Sequence, residues 1–186
     1  MDLIMNDLAE ELILTAELLF GPMVKEWTYM GVEFSDHPPH LAYYPEKGVV
    51  TISLSLRAQN DELQCCFQLA HEVCHLLYPT ARLGMTEAPP RTIVINEGIS
   101  TFFSVLMVQK LHGLEAANQV TANLSEHSPK YFSAFEKVSS LMSNDHEAVQ
   151  KLRKIQPRIN DVTAADFLSS GLQLSEIEID DLVSLF

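Results

Sequence analysis

The sequence has few cysteines and few basic residues, and each shortage excludes a class of protein. Its three cysteines, two of which are adjacent, cannot form a disulfide framework. Only 12 lysines and arginines stand against 25 aspartates and glutamates, which gives a formal net charge of −13. A protein that binds nucleic acid needs a basic surface to neutralise phosphates, so the composition argues against nucleic acid as a partner. We interpret the excess of acidic residues as a feature that keeps the protein soluble.

Long apolar runs are also missing. The sequence contains no continuous apolar stretch of about 18 residues and no basic region of the kind that opens a signal peptide. It therefore predicts a protein of the reducing cytoplasm with no membrane partner. A length of 186 residues with 47% apolar composition is enough for one domain with a sizeable core.

The stretch from Phe67 to Leu77 contains two histidines four residues apart, with a glutamate directly after the first. On an α-helix, positions four apart lie about 40° apart around the axis, so His71 and His75 can hold one metal ion. Glu72 lies about 100° from His71, beside the metal rather than on it. Neutral imidazoles suit zinc, and a catalytic zinc site leaves one position to water, for which Glu72 is placed as the base.

An accidental occurrence of this pattern is the alternative, and the surrounding helix argues against it. The pattern predicts a helix over residues 62 to 77, which Asn60 or Asp61 can cap. The apolar residues of that helix fall together on the side opposite the two histidines: Cys66, Leu69, Ala70, Val73, Leu76 and Leu77. One face can therefore pack while the other binds metal.

A third metal ligand is offered by Glu97, which lies at or near the start of a second predicted helix. The alternative is a glutamate that stabilises the helix N-terminus through the dipole. Other possible ligands are poorer, because Cys74 lies about 60° from His71 on the helical wheel and should face the core. His112 and His127 are lone histidines without a local partner. We interpret Cys65 and Cys66 as small buried hydrophobic residues and not as redox residues.

The remaining patterns predict an α+β fold in a single domain. Residues 1–37 are predicted as an N-terminal helical segment with an amphipathic helix over residues 2 to 20, residues 38–110 as the metal-binding core, and residues 111–186 as a helical C-terminal part. Within the core, residues 41 to 44 and 49 to 56 are β-prone and flank a turn, which indicates a hairpin. The last stretch, 174 to 186, is either a packed terminal helix or a partner-binding segment, and packing is favoured.

The run from Leu69 to Leu77, followed by Asn96-Glu97-Gly98, resembles the gluzincin branch of zinc metallopeptidases. The family pattern is HExxH on one helix and a ligand glutamate on the next. The short frame with a hairpin before the motif is similar to the small peptidases of the ImmA/IrrE type, and Asn96-Glu97-Gly98 is similar to the larger gluzincin aminopeptidases. The resemblance covers about residues 40 to 110.

This resemblance implies a zincin-like minimal metallopeptidase fold, with a small sheet or hairpin over the HExxH helix and further helices toward the C-terminus. It implies one Zn²⁺ ion on His71, His75 and Glu97, with Glu72 as general base and acid. It also implies that the strand 49 to 56 lies along the cleft and pairs with an extended substrate. Gluzincins commonly supply a tyrosine or histidine to stabilise the oxyanion, for which Tyr131 is our candidate by position; His127 and His146 are its rivals.

The sequence thus predicts a zinc-dependent metallopeptidase that acts on a peptide or protein substrate and leaves the oligomeric state open. The alternative is a non-catalytic or regulatory protein of the same fold that binds a partner along its strand edge. Glu72 favours the enzyme, because a purely structural metal site has no need of a base at that position.

Overall fold

The structure is a computed structural model that describes residues 2–85, 88 and 90–186. Over these residues it is α+β, as predicted from the sequence, with eight α-helices and one three-stranded sheet. The elements in chain order are α1 Asp2–Phe20, β1 Thr28–Ser35, β2 His40–Tyr44, β3 Val49–Ser55, α2 Glu62–Leu77, α3 Val94–His112, α4 Leu114–His127, α5 Pro129–Asn144, α6 Ala148–Ile155, α7 Ala164–Ser170 and α8 Glu176–Val183. Short 3₁₀ turns lie at Leu56–Asn60 and Ile159–Asp161. None of the described helices is long and apolar enough to cross a membrane.

The sheet has the order β1-β3-β2. Antiparallel pairing of β2 with β3 confirms the predicted hairpin. The first strand, β1, pairs with β3 in parallel, and it was not predicted. The N-terminal segment 1–37 is therefore helical only as far as Phe20, and the prediction of a helical segment is wrong for β1. The strand is hard to recognise because its register shifts between Tyr29 and Val32, which interrupts the alternation of buried and exposed residues.

The strand predicted to lie along the cleft, β3, is the centre of the sheet. It pairs with β1 on one side and β2 on the other, so it has no free edge for a substrate. Even its small polar residue Ser53 is buried, and its hydroxyl donates to Ser35 Oγ at 2.9 Å. The prediction that residues 49 to 56 pair with substrate is therefore wrong. Among the described strands β2 pairs with β3 alone, so β2 carries the free edge on that side.

Helix α2 has the bounds predicted from the sequence. Asp61 caps it, since its carboxylate accepts a hydrogen bond from the Gln64 amide at 3.0 Å. Its predicted apolar face is buried, and all three cysteines are buried and free. At its end, the ring of Tyr78 lies under the guanidinium of Arg153, which is 6% exposed and donates to the carbonyls of Phe20, Gly21 and Pro22. This arginine from α6 ties the ends of α1 and α2 together.

Helix α3 packs against α2 on one side and α5 on the other. A Cβ atom at Gly98 would lie 2.6 Å from the Ala134 carbonyl oxygen and 2.6 Å from Val138 Cγ2, so only glycine permits this approach of α3 to α5. The contact draws Tyr131, one turn before Ala134 on α5, toward the first turn of α3, where Glu97 lies.

The C-terminal part is helical as predicted. Helix α8 packs through Ile179 and Leu182, which are both 3% exposed, so the packed alternative for residues 174 to 186 is confirmed. Beyond α8 the chain runs antiparallel to the residues before α3: Leu185 forms a bridge with Ile93, and the Phe186 amide donates to the Thr92 carbonyl at 2.9 Å. The last residues therefore lie beside the start of α3.

Candidate metal centre

The three predicted metal ligands converge on one point between α2 and α3. The Nε2 atoms of His71 and His75 are 3.1 Å apart, and Glu97 Oε2 lies 3.2 Å from the first and 3.6 Å from the second. His71 and His75 lie about one turn apart on the same side of α2, and the first turn of α3 presents the carboxylate of Glu97. In the described part of the chain this is the one group of three or more such side chains that could hold a metal ion.

The carboxylate of Glu97 faces the histidines and not the amides of its own helix. Burial by itself raises the pKa of this carboxyl, but the charge of His75 and hydrogen bonds from both histidines outweigh burial and hold the pKa well below its usual range. Burial lowers the pKa of His75, but the charge of Glu97 and a hydrogen bond with it raise that pKa to about 9. The site therefore holds an ionised carboxylate that attracts positive charge, as a metal ligand must. Glu97 lies in the first turn of α3, as the alternative of a dipole-stabilising glutamate also requires, but its carboxylate makes its hydrogen bond with His71.

A further residue acts on this centre and was not predicted. Asn96 is completely buried, and its side-chain oxygen has no close hydrogen-bond partner among the described residues. The Asn96 side chain faces His75. A long or imperfectly aligned hydrogen bond between the two side chains raises the pKa of His75. Its amide nitrogen donates to Asn160 Oδ1 at 3.1 Å, which fixes the side chain. The signal in the sequence was only a polar residue next to a ligand, on a helix that packs on the motif helix.

The proposed base, Glu72, is 4% exposed and lines the same cleft as the three ligands. Its charge is felt by two tyrosines on opposite walls. Burial first and the Glu72 charge second raise the pKa of Tyr43 well above its usual value. Burial, followed by the charges of Glu97 and Glu72, raises the pKa of Tyr131 to about 12. The hydroxyl groups of Tyr43 and Tyr131 therefore stay protonated at neutral pH.

Tyr131 comes to the metal-binding residues from α5, as its position in the sequence suggested. Its ring centroid lies 5.9 Å from that of His71, and the residue is 36% exposed. Its two rivals lie elsewhere: His127 is exposed at the end of α4, and His146 is hydrogen-bonded to the Met142 carbonyl. Neither lines the cleft around the metal-binding residues.

The terminal aromatic residue holds Tyr131 from the outer side. The rings of Phe186 and Tyr131 are 4.8 Å apart in an edge-to-face arrangement, and the Lys130 ammonium lies 4.5 Å above the Phe186 ring. Arg91 donates to the Phe186 carbonyl oxygen at 3.0 Å. Nothing in the sequence indicated this contact, because it joins residues from distant parts of the chain.

The metal-binding residues lie at the bottom of an open cleft of about 270 Å³. Its lining residues are Pro39, His40, Leu41, Tyr43, His71, Glu72, His75, Thr80, Thr92, Glu97 and Tyr131. Three of these residues, His40, Leu41 and Tyr43, belong to β2. The edge strand of the sheet therefore forms one wall, and α5 forms another. A molecule in this cleft would contact Glu72 and the three candidate ligands together.

Comparison of the chain with models of known protein families, with curated proteins and with solved structures found no match.

Proposed function

We propose that the protein is a zinc-dependent metallopeptidase with a minimal zincin-like fold of the gluzincin type. The observation that carries the proposal is the triangle of His71, His75 and Glu97 at the bottom of an open cleft, with the buried carboxylate of Glu72 beside it. The substrate would be a peptide or a protein.

The donor atoms fit zinc in kind and in spacing. Zinc in catalytic sites takes three protein ligands, with bonds of about 2.0–2.1 Å to nitrogen or carboxylate oxygen; in a tetrahedral site such ligand atoms lie roughly 3.3–3.4 Å apart. The three distances here are 3.1, 3.2 and 3.6 Å. No cysteine takes part, since all three are buried in the core, so the set matches a catalytic site better than a structural one.

Zinc held by His71, His75 and Glu97 would supply Lewis acidity, which would polarise a peptide carbonyl and make water acidic enough to lose its proton near neutral pH. Glu72 takes that proton as the water oxygen bonds to the carbonyl carbon, because its carboxylate lines the same cleft as the candidate ligands. Glu72 then gives the proton to the leaving nitrogen as the C–N bond breaks, and so acts as the general acid. Tyr131, kept protonated by a pKa of about 12, donates a hydrogen bond to the developing oxyanion.

The free edge of β2 replaces β3 as the strand that holds substrate. An unpaired strand edge presents N–H and C=O groups that an extended peptide can complete. In this protein, β2 is that edge, and its residues His40, Leu41 and Tyr43 line the cleft. A peptide paired with β2 would lie across the metal-binding residues, with its backbone bonds within reach of Glu72.

The second candidate function is a non-catalytic protein that binds a partner along the same edge. The observation in its favour is the free edge itself. The enzyme is favoured because Glu72, a buried carboxylate facing a cleft, has a task in hydrolysis and none in a binding site for main chain.

The test of the proposed function is Glu72→Gln, with zinc content measured beside the hydrolysis of a denatured-protein substrate. The amide cannot take up a proton, so the rate should fall by about 10²–10⁴-fold while zinc and folding are retained. Glu62→Gln is the matched control, since Glu62 is an exposed glutamate of the same helix. A Glu72→Gln protein that hydrolyses the substrate as fast as the wild type would refute the proposed mechanism.

A further inference from the structure

The cleft continues beyond the metal-binding residues in both directions. Toward one end it reaches Thr80 and Thr92. Toward the other it opens into a pocket of about 230 Å³ that shares His71 and Glu72 with the cleft. We call this the side pocket. Past it, an outer groove of about 400 Å³ follows α4 to Asn123 and His127. The metal-binding residues thus lie partway along a groove, with room for substrate on either side.

The walls of the side pocket are mainly apolar. They are formed by Pro38 and Pro39, by Phe67, by Leu124 and by the ring of Tyr131. The ring centroid of Phe67 lies 6.5 Å from that of His71, so the apolar wall begins directly beside a ligand. Of the polar lining, Gln68 is committed elsewhere, since its side-chain oxygen accepts from the amide and hydroxyl of Ser55 at 3.1 and 3.0 Å.

Among the described residues that line it, the groove has no permanently charged side chain outside the metal centre that could pair with a free end of a peptide. Among the described residues that line the cleft, the side pocket and the outer groove, the only acids are Glu72 and Glu97, and no lysine or arginine is present. Both acids belong to the metal centre. The nearby cations Arg91 and Lys130 both engage Phe186. A peptidase that removes terminal residues must pair the free amine or the free carboxylate with an opposite charge, because an unpaired charge in a binding site is costly.

From these features we infer that the protein is an endopeptidase: it cleaves internal peptide bonds beside a large apolar residue, whose side chain occupies the side pocket. The inference rests on the proposed peptidase function. Main-chain pairing with β2 holds the peptide irrespective of sequence, and the side pocket adds the selection for leucine, phenylalanine or methionine. Neither end of the substrate is bound.

The test uses one peptide scaffold with Leu, Phe, Asp or Lys at its central position. Each peptide is made with free ends and with acetylated and amidated ends. Cleavage by the zinc-loaded wild type is followed by mass spectrometry, and binding to the zinc-loaded Glu72→Gln protein by fluorescence anisotropy. The blocked peptides should be bound and cleaved as well as the free ones, and Leu or Phe should exceed Asp and Lys by roughly tenfold or more.

The variant that tests the pocket is Leu124→Lys, which places a cation on its apolar wall. The preference should move from Leu toward Asp, with zinc content unchanged. Leu114→Lys is the matched control: it lies on the same helix, is 62% exposed and is outside the groove, so it should leave the preference as in the wild type.

Two kinds of failure are separated by these measurements. Cleavage that needs a free end, equal treatment of Leu and Asp, or an unchanged preference in Leu124→Lys would overturn the inference and leave the peptidase standing. If the zinc-loaded wild type cleaves no peptide, blocked or free, the proposed function fails and the inference fails with it.

Discussion

Asn96 is a buried polar residue that lies beside the candidate metal centre without being one of its candidate ligands. It stands directly before the ligand Glu97 and faces the other ligand helix at His75, held there by Asn160. A polar partner of this kind fixes the orientation and tautomer of a metal-binding imidazole. We therefore expect Asn96 to contribute to metal binding together with the three candidate ligands.

We predict that Asn96→Ala weakens zinc binding by about 10–100-fold, the usual effect of removing such a partner. The measurement is competition for zinc against a chelating dye. Asn118→Ala, an exposed asparagine on α4, is the control and should bind zinc as the wild type does. Wild-type affinity in Asn96→Ala would show that Asn96 does not orient His75.

The sequence predicts those site residues whose partners are close to them in the chain. His71, Glu72 and His75 follow from the geometry of a single helix. Glu97 required only that a second helix pack on the first. Asn96 and Phe186 were missed because their contacts depend on the final packing of α3, α5 and the last residues, which no local pattern encodes.

Among the elements, β3 is the one whose position differs most from the prediction. Its alternating pattern predicts a strand correctly, but a pattern does not tell how many neighbours a strand has. The parallel partner β1 precedes the hairpin and shows little alternation, so the central position of β3 was hidden. The free edge beside the cleft therefore belongs to β2, while the candidate site residues remain where the sequence predicts them.

The central position of β3 predicts that Ser53→Pro prevents folding. Proline removes a hydrogen-bond donor from a strand that is paired on both sides, which proline does not tolerate in the interior of a sheet. Circular dichroism and thermal melting are the measurements, with Ser53→Ala as a control that should stay folded. A folded Ser53→Pro protein with an unchanged melting temperature would contradict the observed strand order.

The close contact of α3 with α5 at Gly98 predicts that a larger residue there destabilises the fold. Gly98→Ala adds a Cβ where Ala134 O and Val138 Cγ2 are both 2.6 Å away, so it should destabilise the fold by about 1–3 kcal/mol and push Tyr131 away from the metal centre. Denaturant unfolding measures the first effect and the hydrolysis rate the second. Adding Val138→Ala removes one of the two clashes and should restore part of the stability. Full stability in Gly98→Ala alone would show that the helices are free to separate at no cost.

The whole molecule joins parts that the sequence placed in separate segments. The predicted core, residues 38–110, does contain β2, β3, α2 and nearly all of α3, and with them the candidate ligands. Tyr131 from α5 also lines the cleft, beside His71. Its ring packs against that of Phe186, which lies far from it in the sequence. The helical C-terminal part was predicted as helices, but its contribution to the site depends on long-range packing that local patterns do not specify.

We propose that His71, His75 and Glu97 form one zinc centre, and elemental analysis of the purified protein tests this proposal. The wild type should hold one zinc per chain, and His71→Ala, His75→Ala and Glu97→Ala should each lower the occupancy, because each removes one of three ligands. His127→Ala, an exposed histidine outside the centre, should keep full zinc. A wild type without zinc, or a Glu97→Ala protein with full zinc, would contradict the claim.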